Sequence, residues 1–449
     1  MRRVTLRVAH RNAAERLLRL ALSCTSLRLF ALVRALRTDV LSANLATPYH
    51  LDDDRSWTMT RPLALSLLLS VTGCASVPAV PTPADMDQQV QAALAETRAN
   101  GMAIAVVDGG RVAYVQAYGM RNARGEPLLT DTVMYGASIT KTVMAYTALT
   151  LVDEGKLNLD APLANYLERP LISYGEGQVH LAKYGPYRDL AGDERWRKIT
   201  ARMALTHSTG FHNFWFIEPD QKLRIHFEPG SRYSYSGEGF SLLQFTIENG
   251  AKAKGLGLDV KDLTNAIFAR LGMMRTSLQW RPDFRPNLAD GWNDKGEAVE
   301  HDERSNVRVA GSMDTTISDL SKFIAALVRG EGLSATARAE MVKPSLHIGT
   351  AHQFPNFGPY LPAEQQRPDL AAGLGVIVFE GPQGPGFYKG GHDGQTANSF
   401  VCLERGHRCV LLLANDVRAE ARFADLVRFI LGDTGVPYDW EYGDRAGKS

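Results

Sequence analysis

Hydrophobic positions change period along this chain in an order that already constrains how it folds. Between residues 86 and 99, Met86, Val90, Ala93 and Leu94 recur at helical spacing. Two apolar runs follow, 102–107 and 112–118, and they flank Asp108-Gly109-Gly110-Arg111. A glycine pair between strand-like runs is the chemistry of a tight hairpin, whose central residues need positive φ. From 131 to about 340 the pattern is mainly helical. Its clearest stripe is Leu320, Phe323, Ile324, Leu327 and Val328, with Ser318 expected as the cap before it and Gly330 as the stop after it. Strand character returns at 374–379, 397–403 and 409–414, three antiparallel strands followed by a closing helix over 424–431. Strands at both chain ends around a helical middle predict an α+β fold: an antiparallel sheet flanked by helices, with an inserted mainly helical subdomain. The sheet part falls at about 85–130 and 345–435 and the helical part at about 131–344, with a cleft expected between them.

Composition alters this picture mainly at the N-terminus. With 45% hydrophobic and 22% charged residues, the chain is neither collagen, coiled coil, disordered polymer nor multi-span membrane protein. Its 50 basic and 49 acidic residues leave no positive excess for phosphate, which argues against nucleic acid as a partner. Residues 1–58, however, hold ten Arg and no Lys, and Arg19, Arg28, Arg34 and Arg37 break every apolar run there, so no secretory signal fits. We expect 1–58 to be a non-native upstream extension and Met59 the true start. From Met59 the text becomes one Arg (Arg61), an apolar stretch over 62–71, and Val71-Thr72-Gly73-Cys74. This layout over 59–73 resembles a bacterial lipoprotein signal. The resemblance implies cleavage before Cys74, a diacylglycerol on its thiol and a membrane as partner; an ordinary signal peptide followed by a chance cysteine is the other reading. Residues 74–84 then form the lipidated cysteine and a Pro-rich tether, and 85–449 the catalytic domain. Ala75, rather than Asp, follows the cysteine. By resemblance to Gram-negative sorting, the expected location is the cell envelope, as an exported outer-membrane lipoprotein facing the periplasm. The 376 residues from Cys74 onward carry 39 basic and 44 acidic side chains, so the mature chain is mildly acidic.

Three motifs carry candidate chemistry. Ser138 and Lys141 stand three apart at the opening of a helical run, which puts both on one face, where an uncharged lysine could take the hydroxyl proton. The same spacing also arises with a capping serine and a solvated lysine. Next, Pro229-Gly230 delivers Tyr233 and Tyr235, two apart on an extended segment, so that one ring can pack while the other turns its hydroxyl into a cleft. Third, Lys389-Gly390-Gly391-His392-Asp393-Gly394-Gln395 precedes the strand at 397; glycines there allow close backbone approach to a ligand, although they equally suit a turn.

In this order the three motifs resemble the serine β-lactamase and penicillin-binding-protein superfamily, specifically its class C β-lactamase-like branch, which also holds D,D-carboxypeptidases, D-aminopeptidases and esterases. Stretches 151–163, 199–210 and 310–320 add to the likeness, which covers roughly 86–432. The resemblance implies a β-lactamase/D,D-peptidase-like fold, Ser138 as acylated nucleophile, Lys141 as its proton partner and Tyr235 as base. It implies His392 and Gly394 as an H-x-G version of the third motif, and the backbone N–H groups of Ser138 and Gln395 as oxyanion donors. No metal or other cofactor is implied, and His207 and His212 lack zinc-ligand spacing. One departure stands out: where the branch has Tyr-x-Asn, this chain has Gly237. The missing amide argues against efficient β-lactam hydrolysis, and restoring Asn at 237 is expected to move preference toward β-lactams.

The expected function is therefore that of a serine hydrolase forming an acyl-serine on an ester, a D-amino-acid peptide or a β-lactam. A true β-lactamase and a non-catalytic penicillin-binding or sensor protein are the alternatives. Substrate and oligomeric state are not legible. The divergent stretch 171–198, rich in Tyr, Gly and charge, is expected to be a surface insertion rather than a pocket rim. Finally, a turn at Arg405-Gly406 would place Cys402 opposite Cys409, about 5.5 Å apart at Cα in a hydrogen-bonded pair, within disulfide reach. Two free thiols are the alternative should the register slip.

Overall fold

The computed structural model describes residues 79–175 and 177–443. Cys74, the segment 59–73 and residues 1–58 lie outside the described residues. Helix α1 (Pro83–Thr97) starts where the tether ends: Thr82 caps it by accepting the Asp85 N–H, Pro83 supplies a pre-set φ, and Met86, Val90, Ala93 and Leu94 form the buried stripe. Strands β1 (Gly101–Asp108) and β2 (Arg111–Gly119) follow, joined by Gly109 and Gly110 at φ 57° and 73°. Both glycines thus adopt the left-handed conformation that a two-residue hairpin demands.

The remaining strands of the main sheet come from the C-terminal third: β3 (Leu346–His347), β4 (Ala371–Ala372), β5 (Ile377–Gly381), β6 (Gly384–His392), β7 (Ala397–Leu403) and β8 (Arg408–Ala414). They form one antiparallel eight-stranded sheet in the order β2-β1-β8-β7-β6-β5-β4-β3, so the two chain ends meet where β1 pairs β8. The central strands are continuous apolar runs because both faces are covered. Met102, Ile104 and Val106 pack with α1 and helix α6 (Phe423–Leu431), whereas Ala103, Ala105 and Val107 pack with Phe323, Ile324 and Leu327. The α+β expectation thus matches the structure.

Between β2 and β3 runs the mainly helical part, including α2 (Thr140–Asp153), α3 (Gly237–Asn249), α4 (Val260–Arg270) and α5 (Ile317–Arg329); α7 (Tyr438–Tyr442) closes the described chain. The apolar stripe of α5 lies against the sheet and Gly330 stops it at φ 68°, but its cap is Thr316, whose hydroxyl accepts the Asp319 N–H at 3.0 Å. Ser318 sits inside the first turn. The strand expected from 374 begins only at Ile377, because Gly375 (φ 69°) turns the chain into α2, where its carbonyl accepts from Thr142 Oγ1. Strand β6 was not expected at all, since Gly-Pro-Gly-Phe-Tyr-Lys-Gly-Gly-His lacks alternation.

Hairpin β7–β8 has the anticipated register, Cys402 opposite Cys409, and the two form a disulfide with Cα atoms 4.1 Å apart, closer than a hydrogen-bonded pair would set them. Residues 171–198 are not a mere surface insertion. Tyr184, Tyr187, Leu190 and Trp196 are buried in the main core, and Tyr174, His180, Tyr184 and Tyr187 surround Phe245 of α3 edge-on.

Candidate active site

Ser138 stands on a single tight turn (Ala137–Ile139) that leads straight into α2. The turn is held from three sides. Gly136 N–H donates to Met313 O at 2.8 Å, Thr140 Oγ1 donates to Ala137 O at 2.5 Å, and Asn398 Nδ2 of β7 donates to Tyr135 O at 2.9 Å. Ala137 is kept at φ 45°, a costly conformation for a residue with a β-carbon, which the surrounding bonds impose. Lys141, in the first turn of α2, is 1% exposed, and its Nζ donates to Ser138 Oγ at 3.1 Å and to Ala310 O. The spacing of three residues therefore does place both groups on one face, and the stretch 310–320 supplies the carbonyl that anchors the lysine.

Tyr235 arrives from the other side. Ser236 caps α3 by accepting the Gly239 N–H at 3.0 Å, which fixes the extended residues before it. Tyr235 OH then donates to Ser138 Oγ at 2.8 Å, while Tyr233 turns away to donate to Gln353 Oε1 at 3.0 Å. The imidazole of His207 stacks on the Tyr235 ring with centroids 4.4 Å apart, and its Nδ1 accepts the Ser236 N–H. Burial and the two nearby ammonium groups of Lys141 and Lys389 hold His207 well below the usual histidine range, so it is a neutral platform.

Sequence reasoning missed Lys389 as a participant. It lies on β6, is 3% exposed, and its Nζ stands 5.2 Å from the Tyr235 ring centroid, with Lys141 Nζ at 4.9 Å. Burial alone would push the Tyr235 phenol up. The charges of Lys141 and Lys389, with hydrogen bonds to Ser138 and Lys141, outweigh it and bring the phenol down to about 8. Burial likewise draws Lys141 down, opposed by Tyr235 and reinforced by Lys389. The signal available in the sequence was the lysine opening the third motif, masked by the histidine three residues later.

The third motif needs correction. Gln395 N–H donates to Asp393 Oδ1 at 2.9 Å, closing a turn, and the Gln395 side chain packs against Gly291, so this N–H is not free for an oxyanion. Gly394 has open space around it and does not line the cavity. The tight position is Gly391, where a β-carbon would stand 2.9 Å from both Ser138 N and Ile139 N. Asp393 N–H donates to Thr396 O at 3.1 Å, in phase with the ladder pairs His392–Ala397 and Gly391–Asn398. Alternation along an antiparallel strand then sends the N–H groups of Asp393 and Gly391 toward β7, and those of His392 and Gly390 toward the Ser138 turn. The geometry thus offers Ser138 N–H and His392 N–H as the donor pair. The His392 imidazole has Nδ1 3.3 Å from Glu420 Oε1.

These groups open onto a cavity of about 360 Å³ lined by Ser138, Lys141, Tyr235, Lys389, His392 and Glu441, among others. A neighbouring cavity of about 380 Å³, lined by Arg304, Arg308 and Ala182, shares Tyr135, Phe214, Ala310 and Gly311 with it. At Gly237 the expected effect of an added asparagine does not fit the geometry. A β-carbon there would lie 2.6 Å from the Phe214 ring and 2.9 Å from Asn213 O, so Gly237→Asn would displace the cavity wall instead of adding an amide to it.

The chain has recognisable relatives. It is 30% identical over 146 residues to the esterase EstB of Burkholderia gladioli, covering 32% of each chain, and 31% identical over 138 residues to the lovastatin esterase of Penicillium rubens, covering 30% of this chain and 33% of that one. The match thus spans about a third of the length of these curated relatives. Its fold is that of the octameric penicillin-binding protein homologue from Pyrococcus abyssi, with a TM-score of 0.58 at 19% identity, covering 80% of this chain and 78% of that one. A family model described as Beta-lactamase matches residues 86–432, from the first buried residue of α1 to just past α6, and the chain belongs to that family.

Proposed function

We propose that this protein is a serine hydrolase that acylates Ser138 and prefers small esters to β-lactams. The observation that carries the reading is the convergence on one oxygen: Tyr235 OH at 2.8 Å and Lys141 Nζ at 3.1 Å from Ser138 Oγ, at the floor of an open cavity. As the tyrosinate, Tyr235 takes the Ser138 proton while Oγ attacks the carbonyl carbon; Lys141 and Lys389 stabilise the phenolate beforehand. The negative charge that develops on the carbonyl oxygen is met by the N–H groups of Ser138 and His392. Tyr235 then returns the proton to the departing alcohol oxygen, and in the second half it takes one from the water that attacks the acyl-serine and gives it to Ser138 Oγ as the acyl–oxygen bond breaks and the acid leaves. Esters are favoured because Gly237 provides no side-chain amide, and because two partial relatives are esterases.

A fluorophosphonate probe should label Ser138 and leave Ser138→Ala unlabelled. Profiling with a nitrophenyl ester, a chromogenic cephalosporin and a D-Ala-D-Ala peptide should rank the ester first; a cephalosporin turned over far faster would favour the β-lactamase reading. We also propose that the mature protein is an envelope lipoprotein anchored through Cys74. Membrane partition lost in Cys74→Ser is the expected result, and native protein recovered in the periplasm without a lipid mass would refute it.

A further inference from the structure

Resting on the acyl-serine reading, we infer that Arg308 is a specificity residue: it receives a terminal carboxylate on the acyl arm, so that the favoured substrates are hemi-esters of short dicarboxylic acids. The residue is tied to the reaction centre through the backbone. Ala310 O accepts from Lys141 Nζ, and Ala310 lines both cavities. Arg308 stands two residues earlier, no more than about 7 Å away along the chain. A tight turn fixes its place. Arg308 N–H donates to Ser312 Oγ at 3.0 Å, its carbonyl accepts the Gly311 and Ser312 N–H groups at 3.0 and 2.9 Å, and Val309 N–H donates to Gln244 Oε1 of α3 at 3.1 Å. In the proposed mechanism Tyr235 OH faces the leaving-group oxygen and the His392 N–H faces the carbonyl oxygen. The wall that remains, Phe214, Ala310 and Gly311, leads the acyl arm into the cavity of Arg308.

The Arg308 guanidinium is the uncommitted cation of this wall. Its Nη2 is buried with no hydrogen-bond partner, and the side chain makes no ion pair among the described residues. Its setting is aromatic: the guanidinium carbon lies 5.6 and 6.0 Å from the ring centroids of Phe214 and Phe216, which stack on one another. The other charges lining the cavity are already matched. Glu303 pairs with Arg285, and Asp302 with Arg304, whose guanidinium lies over the Tyr135 ring and 3.6 Å from Asp314 Oδ1. Glu238, buried at the start of α3, feels the charge of Arg308, but burial pushes its carboxyl up to about 7, so at neutral pH it offsets only part of that charge. A partly desolvated guanidinium without a counter-ion attracts a carboxylate strongly, since charge-assisted hydrogen bonds gain where water competes poorly.

The test holds the nitrophenol leaving group and the arm length constant and varies only the charge at the end of the arm. Three nitrophenyl esters are compared: the hexanoate, the adipate hemi-ester and the trimethylammoniohexanoate. Wild-type protein should favour the anionic arm over the neutral one in kcat/KM by about tenfold, and the cationic arm least. Arg308→Gln should lower the anionic-to-neutral ratio by about tenfold, Arg308→Lys should retain most of it, and Arg308→Glu should favour the cationic arm over the anionic one. Each ratio is taken within one protein, so a partly folded variant does not move it. In wild-type protein the preference should also weaken with added salt. A wild-type ratio at or below one, or a ratio that Arg308→Gln and Arg308→Glu leave unmoved, would overturn the inference while leaving the acyl-serine reading intact. Wild-type protein that hydrolyses none of the three esters and takes no fluorophosphonate label at Ser138 would overturn both.

Discussion

The two walls of the cavity work by different means. On the helical side, Lys141 and Tyr235 present buried side chains with shifted proton affinities: burial draws the lysine down, while the phenol, which burial alone would raise, is brought down to about 8 by the charges of Lys141 and Lys389. On the sheet side, β6 acts mainly through backbone, with Gly391 pressed against the Ser138 turn and the His392 N–H turned toward it. Lys389 joins the two, reaching from the sheet wall to shift the Tyr235 phenol on the helical wall. Side-chain chemistry tolerates small backbone shifts but not loss of its charge environment. Backbone chemistry is indifferent to charge and intolerant of a single added carbon.

The comparison can be broken most severely at its shared point. Ser138→Ala, or Lys141→Ala, should reduce ester kcat by about 10³-fold or more, since groups that act as a unit fail together. Retention of more than a few per cent of activity in purified Ser138→Ala would remove the nucleophile from the scheme. Next in size is Gly391→Ala, whose β-carbon meets two backbone nitrogens that cannot swing aside. A loss of about 10²-fold is expected, comparable to the loss of one oxyanion donor, whereas Gly394→Ala, with open space around it, should stay within about twofold. The reverse order would restore the role first assigned to Gly394.

A smaller effect sharpens the coupling between the walls. In the proposed mechanism the tyrosinate is the active form, so kcat/KM should rise with pH and level off above the Tyr235 value of about 8. Lys389→Gln removes a positive charge that favours the phenolate, which raises that value and moves the rising limb to higher pH. At neutral pH the cost is about tenfold for each unit of displacement, and it should be recovered in alkaline buffer. A loss of activity with an unmoved limb would make Lys389 a packing residue only. The least effect on turnover is expected at Cys402–Cys409, on the far part of the sheet. Replacing both by Ala should lower unfolding stability by about 2–3 kcal/mol, the chain-entropy value for so short a loop, without altering kcat/KM.

Much of this was legible in the chain because it is local. The Gly109-Gly110 turn, the α5 stripe and its Gly330 stop, the three-residue spacing of Ser138 and Lys141 and the alternation of Tyr233 and Tyr235 all depend on backbone periods of a few residues. What tertiary structure decided was which local features meet. Strand β6 has no apolar alternation of its own and exists because β5 and β7 pair with it, and only that pairing turns the His392 N–H, and not that of Gln395, toward Ser138. The stretch 171–198 is polar enough to look like an insertion, yet its aromatic residues find Phe245 across the fold. The phenol of Tyr235 owes its acidity to lysines 94 residues before it and 154 after it. Desolvation, charge proximity and backbone approach are properties of distance in space, and periodicity along the sequence holds no record of them.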